Sequence, residues 1–144
     1  MPKDLEDRVS LDPAELQLDV IHGYLAASYW SPGIPLELVA KAIRHSLTVG
    51  AYGPDGAQVG FARLVTDYAS FGYLSDVFVL EGHQGRGLAR RMVRALLDAP
   101  DARSLRRIML ATRDAHGVYG ALGFEPLDKP EMFMQIVRPG LYLV

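Results

Sequence analysis

Apolar residues recur along this chain with two periods, and the switches between them lay out its elements. Val9 and Leu11 alternate with polar neighbours over Arg8 to Leu11, the period of a short strand. Asp19 stands as an N-cap, after which Val20, Ile21, Tyr24 and Leu25 fall on one helical face expected to stop near Tyr29. Ser31-Pro32-Gly33-Ile34-Pro35 has turn chemistry, and Pro35 opens a second helix with Leu36, Val39, Ala42 and Ile43 on one stripe. Leu47 to Tyr52 and Gln58 to Val65 are rich in strand formers and are joined by Gly53-Pro54-Asp55-Gly56, a hairpin loop. After the loop Asp67 to Gly72, Tyr73 to Leu80 is dense enough in apolar residues to predict a central strand. Leu88 to Asp98 returns to the helical period, with Leu88, Met92, Val93, Leu96 and Leu97 inward and Arg90, Arg91 and Arg94 outward. Ile108 to Thr112 reads as a buried strand, Asp114 as the N-cap of a helix over Ala115 to Leu122 closed by Gly123, and Met132 to Val137 as a last strand. The order β, α, α, a three-stranded meander, then α, β, α, β is a mixed α/β layout.

Composition narrows the chemistry. A chain of 144 residues with 49% apolar residues suits one domain, residues 1–144, and needs no disulfide or structural metal to fold. It has no cysteine, which removes thiolate nucleophiles, thiolate zinc sites and iron–sulfur clusters, and makes the cytoplasm the default location. A net charge of −2 matches poorly with a nucleic-acid partner, yet seven arginines (Arg86, Arg90, Arg91, Arg94, Arg103, Arg106 and Arg107) crowd into 22 residues. Such clustering suits a small phosphorylated ligand. Met1 to Asp7 lacks a signal-peptide start and no apolar run is long enough to span a bilayer, so no membrane association is expected. His22 and His45 have no partner at ligand spacing, and no metal is expected.

The most informative stretch is the strand, loop and helix start from Val77 to Ala89. The first turn of a helix carries unpaired N–H groups and partial positive charge, and glycines let a phosphate approach the backbone, so Gly82, Gly85 and Gly87 make an anion trap with His83, Arg86, Arg90 and Arg91 beside it. Taken alone, ordinary turn glycines and a solvated helix face account for the same residues equally well. Two nucleotide motifs are disfavoured: no Lys-Ser or Lys-Thr pair exists for a P-loop, and Arg90 stands where the third glycine of a dinucleotide fingerprint belongs.

Gln84-Gly85-Arg86-Gly87-Leu88-Ala89 resembles the Gln/Arg-x-x-Gly-x-Gly/Ala loop of the GNAT superfamily of acyl-CoA N-acyltransferases, and Ala115, Tyr119, Gly123 and Phe124 fit its Ala-x-x-x-Tyr-x-x-x-Gly-Phe pattern downstream. The element order agrees over nearly the whole chain. The resemblance implies an α/β (α+β) domain whose mixed, mostly antiparallel central sheet is splayed in the middle and flanked by about four helices. It implies acetyl-CoA as co-substrate, with no metal. The amides of Gly85, Arg86, Gly87, Leu88 and Ala89 would hold the pyrophosphate, with Gln84 opening the loop and Arg90 beside it. Val77, Phe78 and Val79 would run along the pantetheine arm. Tyr119 would protonate the departing thiolate, as a phenol with a pKa near 10 can do for a transient, poorly solvated thiolate. Core packing is the alternative account of a lone tyrosine on an amphipathic helix, and the motif favours the acid role. Acyl transfer to an amine also needs a base, and Ser75, Asp76 and Glu81 are the nearest polar residues, Asp76 being the first choice. A strand amide near Val77 would meet the oxyanion.

Two positions depart from the family pattern: Thr112 stands where Asn is common and Glu81 where Pro is common. The resemblance implies that the connection between the first two helices borders the acceptor, so Tyr29 and Trp30 there, with Ser75, are the candidate acceptor contacts; stapling of the helices to the sheet is the other account of the two aromatics, and packing is favoured for them. The expected activity is transfer of acetyl to a small-molecule or peptide amine by direct attack in a ternary complex. The alternative is a CoA-binding sensor or interaction module of the same fold. The last strand and Pro139-Gly140-Leu141-Tyr142 lie either at a homodimer edge or at the end of the sheet.

Overall fold

In the computed structural model, which describes residues 6–143, the strands of one five-stranded sheet lie in chain order: β1 (Arg8–Ser10), β2 (Ser46–Tyr52), β3 (Gln58–Thr66), β4 (Phe71–Val79) and β5 (Arg107–Met109). Neighbours from β1 to β4 are antiparallel, whereas β4 and β5 are parallel. That last pairing covers only residues 71–73 against 107–109, and β4 runs on without a partner on this side. The sheet is therefore split in the middle, as the family resemblance implies. Helices α1 (Leu18–Ala26) and α2 (Leu36–Arg44) cover one face, and α3 (Leu88–Asp98) and α4 (His116–Gly120) the other. Among the described residues no helix is long and apolar enough to cross a membrane.

One irregularity sets which residues of β4 face which layer. Arg63 pairs with Ser75 and Phe61 with Phe78, so β4 uses one residue more than β3 over this stretch. Asp76 supplies the irregular backbone, with a φ of 57° that non-glycine residues rarely adopt. Because side chains alternate with period two, the extra residue reverses the parity of everything beyond it. Leu74, Val77 and Val79 thereby all pack toward α3, while Phe78 turns to the opposite core with Phe61, Ile21, Leu25 and Val39. Phe78 stacks on Tyr24, ring centroids 4.0 Å apart. The larger core, built on Val49, Ala62, Leu64, Met92, Val93 and Leu96, seats α3 on the sheet. The hairpin loop is closed by its own chemistry: Asp55 accepts from the Ala57 amide and Gly56 takes a φ of 85°.

Several boundaries differ from the sequence expectation. Helix α1 starts at Leu18, because the Gln17 side chain does not cap it but is exchanged with Gln58, Gln17 Oε1 accepting from the Gln58 amide and Gln58 Oε1 from the Gln17 amide. Asp19 sits in the first turn instead, where its charge still suits the helix dipole. The helix ends at Ala26 rather than near Tyr29, as the Ser28 hydroxyl and the Gly33 amide take up the last carbonyls. Helix α4 has only five residues, with Ala115 and not Asp114 at its N-cap, since Gly117 and Gly120 weaken the helix and the Thr112 hydroxyl accepts the Ala115 amide. The expected strand over 132–137 does not form. Pro130–Met132 is a 3-10 turn, and residues 133–138 run without a ladder partner. Alternation marks a segment able to be a strand, but a strand exists only where a neighbour supplies the other half of its hydrogen bonds.

Met92 is fully buried between α3 and the sheet. Met92→Ala is expected to lower unfolding stability by about 2–5 kcal/mol in urea titrations followed by circular dichroism, with the m-value unchanged.

Candidate active site

At the end of β4 the chain makes a loop whose conformation only glycine adopts easily. Gly82, Gly85 and Gly87 have φ values of 91°, 81° and 76°, and a Cβ at any of them would meet nothing within 4 Å. They are required by backbone angle, and the space beside them stays open. Gly87 is the N-cap of α3, which has no capping side chain and no acidic residue in its first turn. Among the described residues, the amides of residues 84–90 find no acceptor, and the first intrahelical bond is from Arg91 to the Gly87 carbonyl. Burial of Leu88, Met92 and Val93 fixes the helix axis, so these donors point as a group at the loop.

The loop is tied back to the strand by Gln84, whose Nε2 donates to the Val79 carbonyl at 2.9 Å. The Leu80 amide donates to the Val59 carbonyl, which by strand alternation aims the backbone groups of Val79 and Val77 at the opposite, split edge. Phe78 is placed differently, its backbone toward β3 and its ring against Tyr24. Arg86 does not point freely into solvent: it pairs with Asp7 at 3.0 Å and donates to the Gly82 carbonyl. Arg91 donates to the backbone carbonyl of Asp7, and with Arg90 and Arg94 it lines an open groove of about 490 Å³ between α3 and Leu122. His83 Nδ1 is buried beside the loop without a partner among the described residues.

Tyr119 on α4 packs against the edge of the larger core, its ring edge-on to Phe124 at 5.9 Å. Burial raises its phenol above the ordinary value, with a further push from the Tyr29 phenol. Tyr29 is 60% exposed and lies under the Arg113 guanidinium, 3.9 Å from ring centroid to Cζ. Its neighbour Trp30 meets it edge-on at 5.1 Å and reaches the other way, Nε1 donating to Asp76 Oδ1 at 2.8 Å. Arg63 Nε donates to the second oxygen of Asp76 at 2.6 Å, and Arg63 Nη1 donates to Ser46 Oγ. Asp76 thus has both oxygens engaged and a side chain only 8% exposed. Ser75 faces Arg63 across the strands and makes no side-chain hydrogen bond among the described residues.

Beneath this network lies a cavity of about 90 Å³, bounded by Leu25, Ile34, Phe61, Arg63, Asp76 and Tyr142. Tyr142 comes from the C-terminal segment, which passes so close to Gly33 that a Cβ there would lie 2.9 Å from the Tyr142 carbonyl oxygen. Tyr29, Trp30 and Asp76 are therefore joined in one network, while the loop residues form a second cluster at the far end of β4. Arg63, Arg113 and Tyr142 were not among the sequence candidates. Arg63 carried a signal, being the one charged residue within the apolar run Gln58 to Val65. Tyr142 and Arg113 carried none.

Known proteins repeat this architecture. A model of the acetyltransferase (GNAT) family matches residues 28–124. A Gibberella zeae protein bearing an acetyltransferase name is 36% identical, with 78% of this chain and 75% of the relative aligned. A crystal structure from Xanthomonas campestris, described as belonging to the GNAT family, has 46% identity and a TM-score of 0.91 over 96% of this chain and 98% of that one. At 15% identity, a Clostridium acetobutylicum structure holding acetyl-CoA shares the fold alone, with a TM-score of 0.65 over 92% of this chain and 95% of its own. The split sheet, the glycine loop at its end and the extent of these matches lead to one conclusion: the chain belongs to the GNAT family of acetyltransferases.

Proposed function

We propose that this protein is an acyl-CoA N-acyltransferase that moves acetyl from acetyl-CoA to a small-molecule or peptide amine by direct attack in a ternary complex. The observation that carries the reading is the row of unpaired amides at residues 84–90, opened by glycines in the left-handed region and set at the end of a split strand. A pyrophosphate would accept from these amides, and Arg90, Arg91 and Arg94 would meet further phosphate charge in the adjoining groove. The pantetheine arm would then lie along Val77 and Val79, whose backbone groups face the split. Such a placement brings the thioester toward Tyr119.

The reaction balances simply. The neutral amine attacks the thioester carbonyl carbon, a C–N bond forms, and the oxyanion is met by a backbone amide near Val77. Collapse breaks the C–S bond, the thiolate takes the Tyr119 proton, the ammonium proton of the adduct leaves to water, and water returns a proton to the Tyr119 phenolate. Burial keeps the Tyr119 phenol protonated at neutral pH, as a proton donor requires, while making it a weaker acid than a free phenol. Asp76 serves in this reading as the anchor of Trp30 and Arg63 rather than as the base. Its two oxygens accept from Trp30 Nε1 at 2.8 Å and from Arg63 Nε at 2.6 Å, which fixes both partners in place.

Calorimetry with acetyl-CoA tests the loop: Gly85→Val, which forces a β-branched residue to positive φ, is expected to weaken binding at least about tenfold. Failure of the unaltered protein to bind would remove the proposal. Tyr119→Phe is expected to lower kcat about 100-fold in a thiol-release assay with a panel of amines, with acetyl-CoA affinity unchanged. Since the folded pKa is raised, the unaltered enzyme keeps its acid form through neutral pH and loses it only above about pH 10. Binding without release of thiol from any amine would instead support the sensor reading. For Asp76→Asn, the expected result is a higher KM for the amine with kcat within about tenfold and its pH profile unmoved; a profile that loses its acid limb would make Asp76 the base.

A further inference from the structure

The small cavity under the Asp76 network has apolar walls and one charged donor. Leu25, Val39 and Phe61 on its wall are almost fully buried, and Ala42 beside them contributes little bulk. Its volume of about 90 Å³ is room for roughly three water-sized groups, the bulk of a small branched aliphatic side chain. Arg63 lines the same space with a side chain 19% exposed. Asp76 accepts from its Nε at 2.6 Å and Ser46 Oγ from its Nη1 at 3.1 Å, while Nη2 finds no acceptor among the described residues. The acceptors nearby are already engaged: Asp76 accepts at both oxygens, and Ser46 Oγ, taken by Arg63, itself donates to the Ala42 carbonyl. The hydroxyls of Ser31 and Tyr142, also on the wall, make no hydrogen bond among the described residues and can each donate. What the cavity offers is therefore donors, charged at Arg63, against an apolar wall, and that combination reads a carboxylate beside an aliphatic group.

We propose that this cavity is the specificity pocket for the acceptor, and that the acceptor is a branched aliphatic α-amino acid with its carboxylate on Arg63 and its side chain against Leu25, Val39, Ala42 and Phe61. The inference rests on the acyltransferase reading and names the amine within it. An α-amino acid carries its amine and carboxylate on one carbon, so fixing the carboxylate also fixes the amine. Arg63 is paired with Asp76, the residue before Val77, and a carboxylate on Arg63 keeps the amine close to the strand amide assigned to the oxyanion. Asp76 acts here as a positioning residue. Its ion pair sets the plane of the guanidinium, and a planar carboxylate is recognised only where that plane is fixed. The volume excludes aromatic side chains, and the apolar wall gives no partner to polar ones.

Calorimetry of L-leucine, titrated into the full chain alone and with CoA present, tests the pocket apart from acyl transfer. L-leucine is expected to bind with a dissociation constant below about 1 mM, and L-leucinamide, which keeps the shape and loses the charge, at least about tenfold more weakly. Glycine is expected to fall behind L-leucine by at least about tenfold, since it leaves the wall uncovered. Arg63→Gln is expected to erase the advantage of L-leucine over L-leucinamide. Because that change also strips Asp76 of its charged partner, Ala42→Leu serves as a second variant: it places an isopropyl group in the cavity and keeps the ion pair. It is expected to erase the advantage of L-leucine over glycine with an unchanged circular dichroism spectrum. Equal affinity for L-leucine and L-leucinamide would overturn the proposal. So would the absence of L-leucine binding up to about 10 mM in a protein that binds acetyl-CoA, or an Ala42→Leu variant that keeps the unaltered preferences. L-leucine binding by a protein that refuses acetyl-CoA would support the pocket and remove the acyltransfer reading alone.

Discussion

The geometry of the site hangs on one backbone residue, Asp76, held in the left-handed region within β4. Such a conformation is costly for an aspartate and persists only where its surroundings outweigh the strain. Here the surroundings are two donors: the Trp30 indole from the α1–α2 connection and the Arg63 guanidinium from β3. The same residue does two things at once. It inserts the extra position that reverses the side-chain parity of β4, and it ties the α1–α2 connection to the sheet. Without the reversal, the side chains of Val77 and Val79 would face α1 and Phe78 would face α3, so neither core would close as it does.

The glycine-loop end depends on the other face of the same strand. Helix α3 is seated by Leu88, Met92, Val93 and Leu96, and its burial determines where its N-terminal amides point. Gln84 fastens the loop to the carbonyl of Val79, so the loop and the split edge move as one piece. The amides of residues 84–90 are thereby held in place with no acceptor among the described residues. Arg86 illustrates a limit of reading charge from sequence. Its guanidinium is occupied by Asp7, a residue 79 positions away, and the net effect is to brace the loop against β1.

What was legible in the chain was local chemistry. The glycine-containing loop between β4 and α3, the hairpin turn at Asp55 and Gly56, and the apolar faces of α1 and α3 each follow from residues within a few positions of one another, and each appears in the structure. The Asp76 network was not legible, because its partners lie 13 and 46 residues away and nothing in their spacing announces a contact. Nor was the position of Tyr142 beneath the lip. The expected last strand failed for a related reason: alternation at Met132, Met134 and Ile136 describes a surface that could pair, and pairing is a property of two segments.

The sequence by itself determined most of the elements and the glycine loop before α3, since helix faces and turns are fixed by short-range sterics and by which residues water excludes. Only the tertiary structure decided which side of β4 each residue faces, that both oxygens of Asp76 are spoken for, and that the C-terminal segment ends against Gly33 with its middle bare. Those outcomes depend on contacts between residues far apart in the chain, and no local preference carries that information.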